Sequence, residues 1–319
     1  MEILNGTSLS NMCDYSFGDH LGGSAPNYLI GGFIKPANIS NAEFLLKTKD
    51  YVGRIMTLFI DNIRLYNRPL EVRVGPDANW VSYLLQFNDL LALCTQFPDN
   101  KFVIFTSHED TPIDENIKIP DNVLGIHATN AVYNNDLIHP FPYGLQRQLG
   151  KKDKRIKIMK EYVDKDEGKN IQPTKLLYIN CGLGDERNSK ERAYLPNFEG
   201  KKWTTCRFDK DSKFFTHDKY NEFLDEILEH KFMICPQGHG IDCHRNWESL
   251  YMRRVPIMKD HPYFRRLMEG FPVLFVDNWE EITEELLIAS EPLYEEAQKM
   301  DLTRLDLKKM YDNIMQGYK

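Results

Sequence analysis

The residues best suited to chemistry are concentrated in one stretch, Lys231 to Lys259. An apolar run, Phe232 to Cys235, leads into a turn with two glycines; a predicted helix starts at about Asp242, and a second apolar run, Val255 to Met258, follows. A loop between a buried strand and a helix suits an anion, because the first N–H groups of the helix and its dipole face the ligand. The candidate ligand-binding residues of this stretch are Gly238, His239, Gly240, Asp242, Arg245 and Glu248.

Arg245 and Glu248 lie three residues apart, which places them side by side on one non-core face of the predicted helix. This spacing is also consistent with an exposed ion pair, which would contribute only about 0–1 kcal/mol. Their position behind the glycine turn favours a ligand, since arginine suits phosphate and glutamate suits the hydroxyls of a ribose or sugar. We expect Asp242 to cap the helix, because aspartate is a favoured N-cap residue.

The elements that must position these residues are predicted to form two α/β domains with parallel sheets, because apolar runs alternate with amphipathic segments. Near-continuous apolar runs, typical of strands covered on both faces, occur at 54–60, 101–106, 123–127 and 175–180. Residues 79–97 carry large apolar side chains at helical spacing, Trp80 among them, which predicts one amphipathic helix. The charged segment 144–175 places the boundary between domains 1–150 and 151–319 near Gly150.

Polar residues just after the predicted strands are further candidates, because ligands bind beyond the carboxyl ends of parallel strands. Those that end or follow a strand are Asp61, His108, Asp110, Asn180, Arg187 and Arg192. Asp19 and His20 lie in an N-terminal glycine-rich turn, which could open on a cleft but is also consistent with an ordinary surface turn.

Composition and charge argue against several classes of protein. The 319 residues carry a formal net charge of −7 without a long basic run, which argues against binding to nucleic acid. The six cysteines form no CxxC pair and lie mostly in or beside apolar stretches, which indicates thiols in a reducing compartment. We see neither a signal peptide nor an apolar stretch of about 20 residues, so we expect a soluble cytoplasmic protein without a membrane span.

Several segments together resemble one enzyme family. CPQGHGIDCHRNWESLYMRRVPIMK (235–259) and EGFPVLFVDNWEEIT (269–283) resemble the C-terminal half of exostosin-like glycosyltransferases, including small bacterial and large-DNA-virus members. KLLYINCGLGDERNSKER (175–192) and FVIFTSHEDTP (102–112) resemble further segments of that family. The resemblance implies a GT-B fold, in which two Rossmann-like domains face each other across a cleft. It also implies that the C-terminal domain holds a nucleotide sugar, the N-terminal domain holds a glycan acceptor, and no metal is essential.

The resemblance also implies roles for individual residues. It places the donor diphosphate near Gly238 to Asp242 and Arg245, with help from Arg187 or Arg192, and the ribose hydroxyls at Glu248. The family has glycine where this chain has Arg253 and Arg254, which leaves the details of the donor side open.

An inverting transferase also needs a general base beside the acceptor hydroxyl. The candidates in the N-terminal domain are Asp110, Asp61, Asp19 and His20. We favour Asp110, because His108, Glu109 and Asp110 place three titratable groups just past a buried strand. The leaving diphosphate would then be stabilised by arginine and the helix N-terminus in place of a metal ion.

The expected function is therefore transfer of a sugar from a UDP- or GDP-linked donor to a glycan hydroxyl, with inversion and without a cofactor. A related sugar-nucleotide epimerase or hydrolase, and a non-catalytic glycan-binding protein, are the alternatives. Three other site types remain open. These are zinc at Cys235, His239, Cys243 and His244, a dinucleotide at Gly238-x-Gly240, and manganese at the Asp-x-Asp sequences 164–166 or 209–211.

Overall fold

The computed structural model describes residues 1–5, 8–9, 12–17, 53–61, 71–74, 79–82, 87–107, 113, 116–133, 135–145, 154–184, 189–208 and 219–319. The chain divides into two compact units. The N-terminal unit comprises Gly6–Phe141 and Tyr311–Lys319, and the C-terminal unit comprises Met1–Asn5 and Pro142–Met310. The predicted boundary near Gly150 lies outside the described residues.

The N-terminal unit is built on a parallel sheet. Its strands are β1 (Tyr15–Phe17), β2 (Ile55–Asp61), β5 (Lys101–Ser107), β6 (Val123–Ala128) and β7 (Ile138–Pro140), in the order β1-β2-β5-β6-β7. All four neighbouring pairs are parallel. Six of the seven residues of β5 are buried, as its apolar sequence KFVIFTS predicts for a central strand covered on both faces.

The segment 79–97 is not one helix, as its spacing predicted. Asn79–Ser82 is strand β4, which pairs antiparallel with β3 (Glu71–Val74), and helix α1 starts only at Phe87 and ends at Thr95. Trp80 lies opposite Arg73 in this hairpin. Aromatic side chains suit a strand as well as a helix, so the partner strand decides the conformation of such a segment.

A row of rings lies across the N-terminal sheet. Phe105, His127 and His139 are paired in register on β5, β6 and β7, and successive ring centroids are 5.1 and 5.0 Å apart. Tyr318 lies against His127 and shares a 2.9 Å hydrogen bond with its Nε2. Burial, and the charge of His139 after it, lower the pKa of His127 to about 3.

The C-terminal unit contains the second parallel sheet. Its strands are β8 (Lys175–Asn180), β9 (Thr204–Arg207), β10 (His230–Ile234), β11 (Val255–Lys259) and β12 (Leu274–Val276), in the order β12-β11-β10-β8-β9. All neighbouring pairs are parallel. The prediction of an α/β protein with two parallel sheets is therefore confirmed.

Nine further helices flank or follow these strands within the described ranges. They are α2 (Arg155–Asp164), α3 (Glu167–Asn170), α4 (Ser189–Arg192), α5 (Tyr220–Leu228), α6 (His244–Tyr251), α7 (Pro262–Leu267), α8 (Glu284–Ala289), α9 (Glu291–Lys299) and α10 (Leu307–Gln316). Short 3-10 helices occur at Leu195–Phe198, Trp279–Glu281 and Leu302–Leu305. Among the described residues, no helix has the length and apolar character that crossing a membrane requires.

Two consecutive arginines anchor the C-terminal end of α6. Arg253 has the left-handed φ of 54°, a conformation that favours glycine. Its guanidinium donates to Asp166 (2.6 Å) and to the carbonyl of Gln298 (3.2 Å). Arg254 is fully buried, and its terminal nitrogens donate to five main-chain carbonyls, which belong to Gly168, Ile171, Leu228, Met252 and Arg253.

Candidate functional site

The candidate donor site lies at the carboxyl edge of the C-terminal sheet. β8 and β10 are adjacent and parallel, with Ile179 opposite Ile234, so Asn180 and Cys235 leave the sheet side by side. The chain then runs through the loop 235–243 into α6. We call this loop, together with Asn180, Arg192, Arg245 and Glu248, the sheet-edge site.

Arg245 lies in the first turn of α6 and connects that helix to the end of β8. Its Nε donates a short hydrogen bond to the carbonyl oxygen of Asn180. The Arg245 side chain is half-buried, so its charge acts on a partly desolvated neighbourhood. Burial raises the pKa of Cys181, Cys243 and Glu248 above their ordinary values, and the charge of Arg245 opposes part of that rise.

Arg192, at the end of α4, is buried and holds two loops together. Its guanidinium donates to the carbonyl of Gly182, in the loop after β8, at 2.8 Å, and to the carbonyl of Gln237, in the loop after β10, at 2.7 Å. Burial lowers the pKa of Arg192 from its ordinary value, and the nearby Arg245 lowers it further. The site therefore brings two cationic groups close together, and within the described part of the chain the hydrogen bonds of the Arg192 side chain all go to neutral carbonyls.

Glu248 is buried, with 8% of its surface exposed, so it does not lie on the solvent-facing side that an exposed ion pair would require. The Tyr220 hydroxyl of α5 donates to its Oε1 at 3.0 Å. Burial raises the pKa of Glu248 above its ordinary value, while Arg245 and then the Tyr220 hydrogen bond oppose that shift. Apolar spacing along a helix gives no information about a hydroxyl partner, so the sequence did not reveal the hydrogen bond from Tyr220.

Asp242 does not cap α6, contrary to the prediction. The N-cap residue is Cys243, and the Asp242 carboxylate instead accepts from Asn246 Nδ2 at 2.7 Å and from Trp247 Nε1 at 3.1 Å. The main-chain N–H of Tyr143 also donates to it, at 2.8 Å. Burial raises the pKa of Asp242 to about 6 against the effect of these donors. Asp242 therefore positions the loop and the first turn of α6, and donors contact both of its oxygens.

The glycine turn leaves space beside its main chain. A Cβ atom built on Gly238 would meet no atom within 4 Å, and its φ is not in the left-handed region, so neither packing nor backbone conformation requires glycine there. His239 is exposed and Gly240 is buried. The open side of Gly238 is consistent with a ligand that approaches the main chain.

Asn180 is buried, and its side chain belongs to a network that the sequence did not reveal. Its Nδ2 donates to the Tyr178 hydroxyl at 2.6 Å, and that hydroxyl donates to Glu226 of α5. Tyr178 lies within the apolar run of β8. In the sequence it therefore reads as one more buried strand residue, and nothing indicates the partner of its hydroxyl.

The metal alternatives receive no support from the described ranges. No group of three or more His, Cys, Asp or Glu side chains in that part of the chain could hold a metal ion. Cys243 donates to Asn246, and His244 Nδ1 bonds to the Gly144 carbonyl. Asp164 pairs with Lys160, and Asp166 pairs with Arg253, so the first Asp-x-Asp sequence serves the fold. The second one, at 209–211, lies outside the described residues.

Most of the predicted acceptor-side residues are not among those that the structure describes. Asp19, His20, His108 and Asp110 lie outside them, and so does Arg187 on the donor side. The backbone of Asp61 ends β2, paired with Ser107 at the end of β5. This places Asp61 at the carboxyl edge of the N-terminal sheet.

No protein-family model matches the chain, and no curated protein matches its sequence. The resemblance to exostosin-like glycosyltransferases stays a prediction, carried by the motifs quoted above.

Proposed function

We propose that this protein is a GT-B glycosyltransferase that transfers a sugar from a nucleotide-sugar donor to a glycan hydroxyl. In this proposal the two parallel sheets are the two Rossmann-like domains. The sheet-edge site of the C-terminal unit binds the donor, and the carboxyl edge of the N-terminal sheet binds the acceptor.

The observation that carries the proposal is the state of Glu248. A carboxylate buried in protein is costly unless hydrogen bonds and charge compensate for the lost water. Tyr220 supplies one hydrogen bond to Oε1, and among the described residues the carboxylate of Glu248 accepts no other. A pair of ribose hydroxyls would supply the missing donors, which explains why a carboxylate is placed here rather than an apolar side chain.

The cationic groups of the site favour a diphosphate beside that ribose. Arg245 lies close enough to Arg192 for its charge to lower the pKa of Arg192, an unfavourable arrangement that an anion would stabilise. Gly238 leaves its main chain open next to the start of α6, where N–H groups and the helix dipole attract an anion. These groups could stabilise the charge that develops on the leaving nucleoside diphosphate.

The proposal assigns deprotonation of the acceptor to a carboxylate of the N-terminal unit, with Asp110 first and Asp61 second. A carboxylate at the end of a strand can remove the proton as the hydroxyl attacks the anomeric carbon from the face opposite the leaving group, which inverts that centre. Metal independence is part of the proposal, because guanidinium groups and the helix N-terminus provide the positive charge.

Calorimetric titration of the purified protein with UDP, GDP and their sugar conjugates tests the donor site. We expect Arg245→Ala and Glu248→Ala each to weaken binding by about 10-fold or more, since hydrogen bonds to charged groups contribute about 1.5–3 kcal/mol. Arg265→Ala is the control, because Arg265 is exposed and pairs with Asp260. Unchanged binding in both site variants would overturn the proposed donor site.

Turnover distinguishes the proposal from the alternative functions. Asp110→Asn, or Asp61→Asn if that residue is the base, should greatly reduce transfer to a glycan while donor binding persists. Donor turnover at an enzymatic rate without an acceptor would indicate an epimerase or hydrolase instead. A wild-type protein that turns over no donor, with glycan binding retained in both variants, would indicate a non-catalytic glycan-binding protein.

A further inference from the structure

A chain of hydrogen bonds leads from the protein surface to the sheet-edge site. Arg207, at the end of β9, donates through Nε to Glu226 Oε1 at 2.9 Å, and Glu226 Oε2 accepts from the Tyr178 hydroxyl. Asn180 Nδ2 then donates to the same hydroxyl oxygen at 2.6 Å. Tyr178 is fully buried and Asn180 is only 5% exposed, so the inner half of this chain is shielded from water.

The chemistry of its ends determines the direction of every bond in this chain. A guanidinium can only donate, and an ionised carboxylate can only accept. Tyr178 has a single hydroxyl proton, which goes to Glu226, and burial followed by the Glu226 hydrogen bond raises the pKa of Tyr178 well above its ordinary value. Towards Asn180 the hydroxyl must therefore accept, so the amide must turn its NH2 group inward.

The amide oxygen of Asn180 is consequently directed away from Tyr178. Within the described part of the chain, the side chain of Asn180 bonds to Tyr178 through Nδ2, and Oδ1 accepts no hydrogen bond. The carbonyl oxygen of the same residue accepts from Arg245. Oδ1 is not a fully buried atom, so this acceptor stays accessible at the edge of the sheet where a ligand is expected.

We infer that Asn180 Oδ1 is a fixed hydrogen-bond acceptor for a hydroxyl or N–H group of the bound nucleotide sugar, and that Tyr178 and Glu226 are positioning residues that set its orientation. This inference rests on the proposed function and adds a specificity element to it. Phosphate oxygens are themselves acceptors and would be repelled by Oδ1. Asn180 thus recognises the nucleoside or the sugar, whereas Arg245 recognises the diphosphate.

Calorimetric titration with pyrophosphate, UDP, GDP and UDP-glucose tests this division of roles, because pyrophosphate lacks the hydroxyl and ring N–H groups of the other probes. We expect Asn180→Ala to weaken the binding of UDP, GDP or UDP-glucose by about 5- to 10-fold, the effect of losing one hydrogen bond. The affinity for pyrophosphate should stay the same. Tyr178→Phe should lower the same affinity about 3-fold, because the amide can then rotate. Arg245→Ala should weaken binding of all four probes.

Tyr162→Phe is the matched control. Tyr162 also donates to a carboxylate of α5, that of Asp225 at 2.7 Å, but this pair is exposed and Asp225 is not part of the chain that ends at Asn180. We expect its affinities to equal those of the wild type. Equal losses for pyrophosphate and the other probes, or no loss in both Asn180→Ala and Tyr178→Phe, would overturn the inference. Wild-type protein that binds none of the four probes would overturn the proposed function itself.

Discussion

Helix α6 and the residues that follow it bury polar side chains in two different ways. At its C-terminal end, Arg253 and Arg254 direct their terminal nitrogens at Asp166 and at main-chain carbonyls of neighbouring segments. In the middle of the helix, the side chain of Glu248 receives one hydrogen bond, from Tyr220. The terminal nitrogens of Arg254 find partners within the protein, although its Nε has none among the described residues, whereas the carboxylate of Glu248 keeps an oxygen that could accept from a ligand.

Asp242 shows that the difference does not come simply from the position along the helix. It lies at the N-terminal end, yet it accepts from Tyr143, Asn246 and Trp247, as a structural group would. The comparison therefore separates Asp242 from Glu248, two buried carboxylates six residues apart that the sequence had grouped together as ligand-binding. Five substitutions in and around α6 test these assignments.

The largest loss of stability is expected for Arg254→Met. Methionine fills much of the volume but leaves the carbonyls of Gly168, Ile171 and Leu228 without the guanidinium. We expect the free energy of unfolding to fall by about 3–5 kcal/mol in urea denaturation. Arg265→Ala should change it by no more than about 1 kcal/mol, since that ion pair is exposed. Equal effects of the two variants would contradict a structural role for the buried guanidinium.

Asp242→Ala should come second, at about 2–3 kcal/mol, because it removes the acceptor from three buried donors. Glu248→Gln is its counterpart: it keeps an acceptor for Tyr220 and removes a buried charge, so the free energy of unfolding should change by less than about 1 kcal/mol. Denaturation of the two variants in parallel checks this. A destabilisation by Glu248→Gln as large as that by Asp242→Ala would remove the distinction between the two carboxylates.

His244 makes the N-terminal end of α6 sensitive to acid. Burial lowers its pKa from 6.5 to about 4, so from pH 6.5 down to about 4 the unfolded state binds the proton and the native state does not. The contribution of His244 to the free energy of unfolding is therefore fully present above pH 6.5. Below pH 6.5 it decreases by about 1.4 kcal/mol per pH unit. Asn can still donate to the Gly144 carbonyl, so His244→Asn should reduce the pH dependence between pH 6.5 and 5 by that slope. An unchanged slope in urea titrations would contradict the assignment.

Asp242 acts in the opposite sense over part of the same range. Its native pKa of about 6 lies above the ordinary 3.8, so between these values the native state binds more protons and this carboxyl gains stability as the pH falls. The measured pH dependence of the wild type should therefore be weaker than that of His244 alone. The difference between wild type and His244→Asn isolates the histidine.

The smallest change of stability is expected for Gly238→Ala. The added methyl group meets no atom within 4 Å, and the backbone is not left-handed, so the free energy of unfolding should change by less than about 0.5 kcal/mol. Nucleotide binding should nevertheless weaken, because the methyl group occupies the open side of the turn. Thermal unfolding with and without UDP or GDP measures both effects. A stable variant with wild-type affinity would show that the open side of Gly238 receives no ligand.

The strands were predictable wherever the apolar run was long enough. Lys175–Asn180 forms β8 with the predicted bounds, and the strand predicted at 101–106 is extended by one residue, because strands buried on both faces cannot tolerate polar side chains in their interior. Residues 79–97 were mispredicted because Trp80 satisfies a helical spacing as well as a hairpin, and only the pairing with Arg73 decides between them. Helix α6 was predicted two residues too early, since a favoured N-cap residue, Asp242, precedes the true N-cap.

The sequence alone determined the α/β alternation with two parallel sheets and the loop and helix that carry Gly238, Arg245 and Glu248. These follow from apolar periodicity and from local chemistry, both of which act over a few residues. Only the tertiary structure decided which polar groups are satisfied within the protein. Tyr220 reaches Glu248 from another helix, Tyr143 reaches Asp242 from 99 residues away, and the orientation of Asn180 depends on Glu226 of α5. Hydrogen-bond satisfaction is a property of residues that meet in space, so a pattern along the chain cannot specify it.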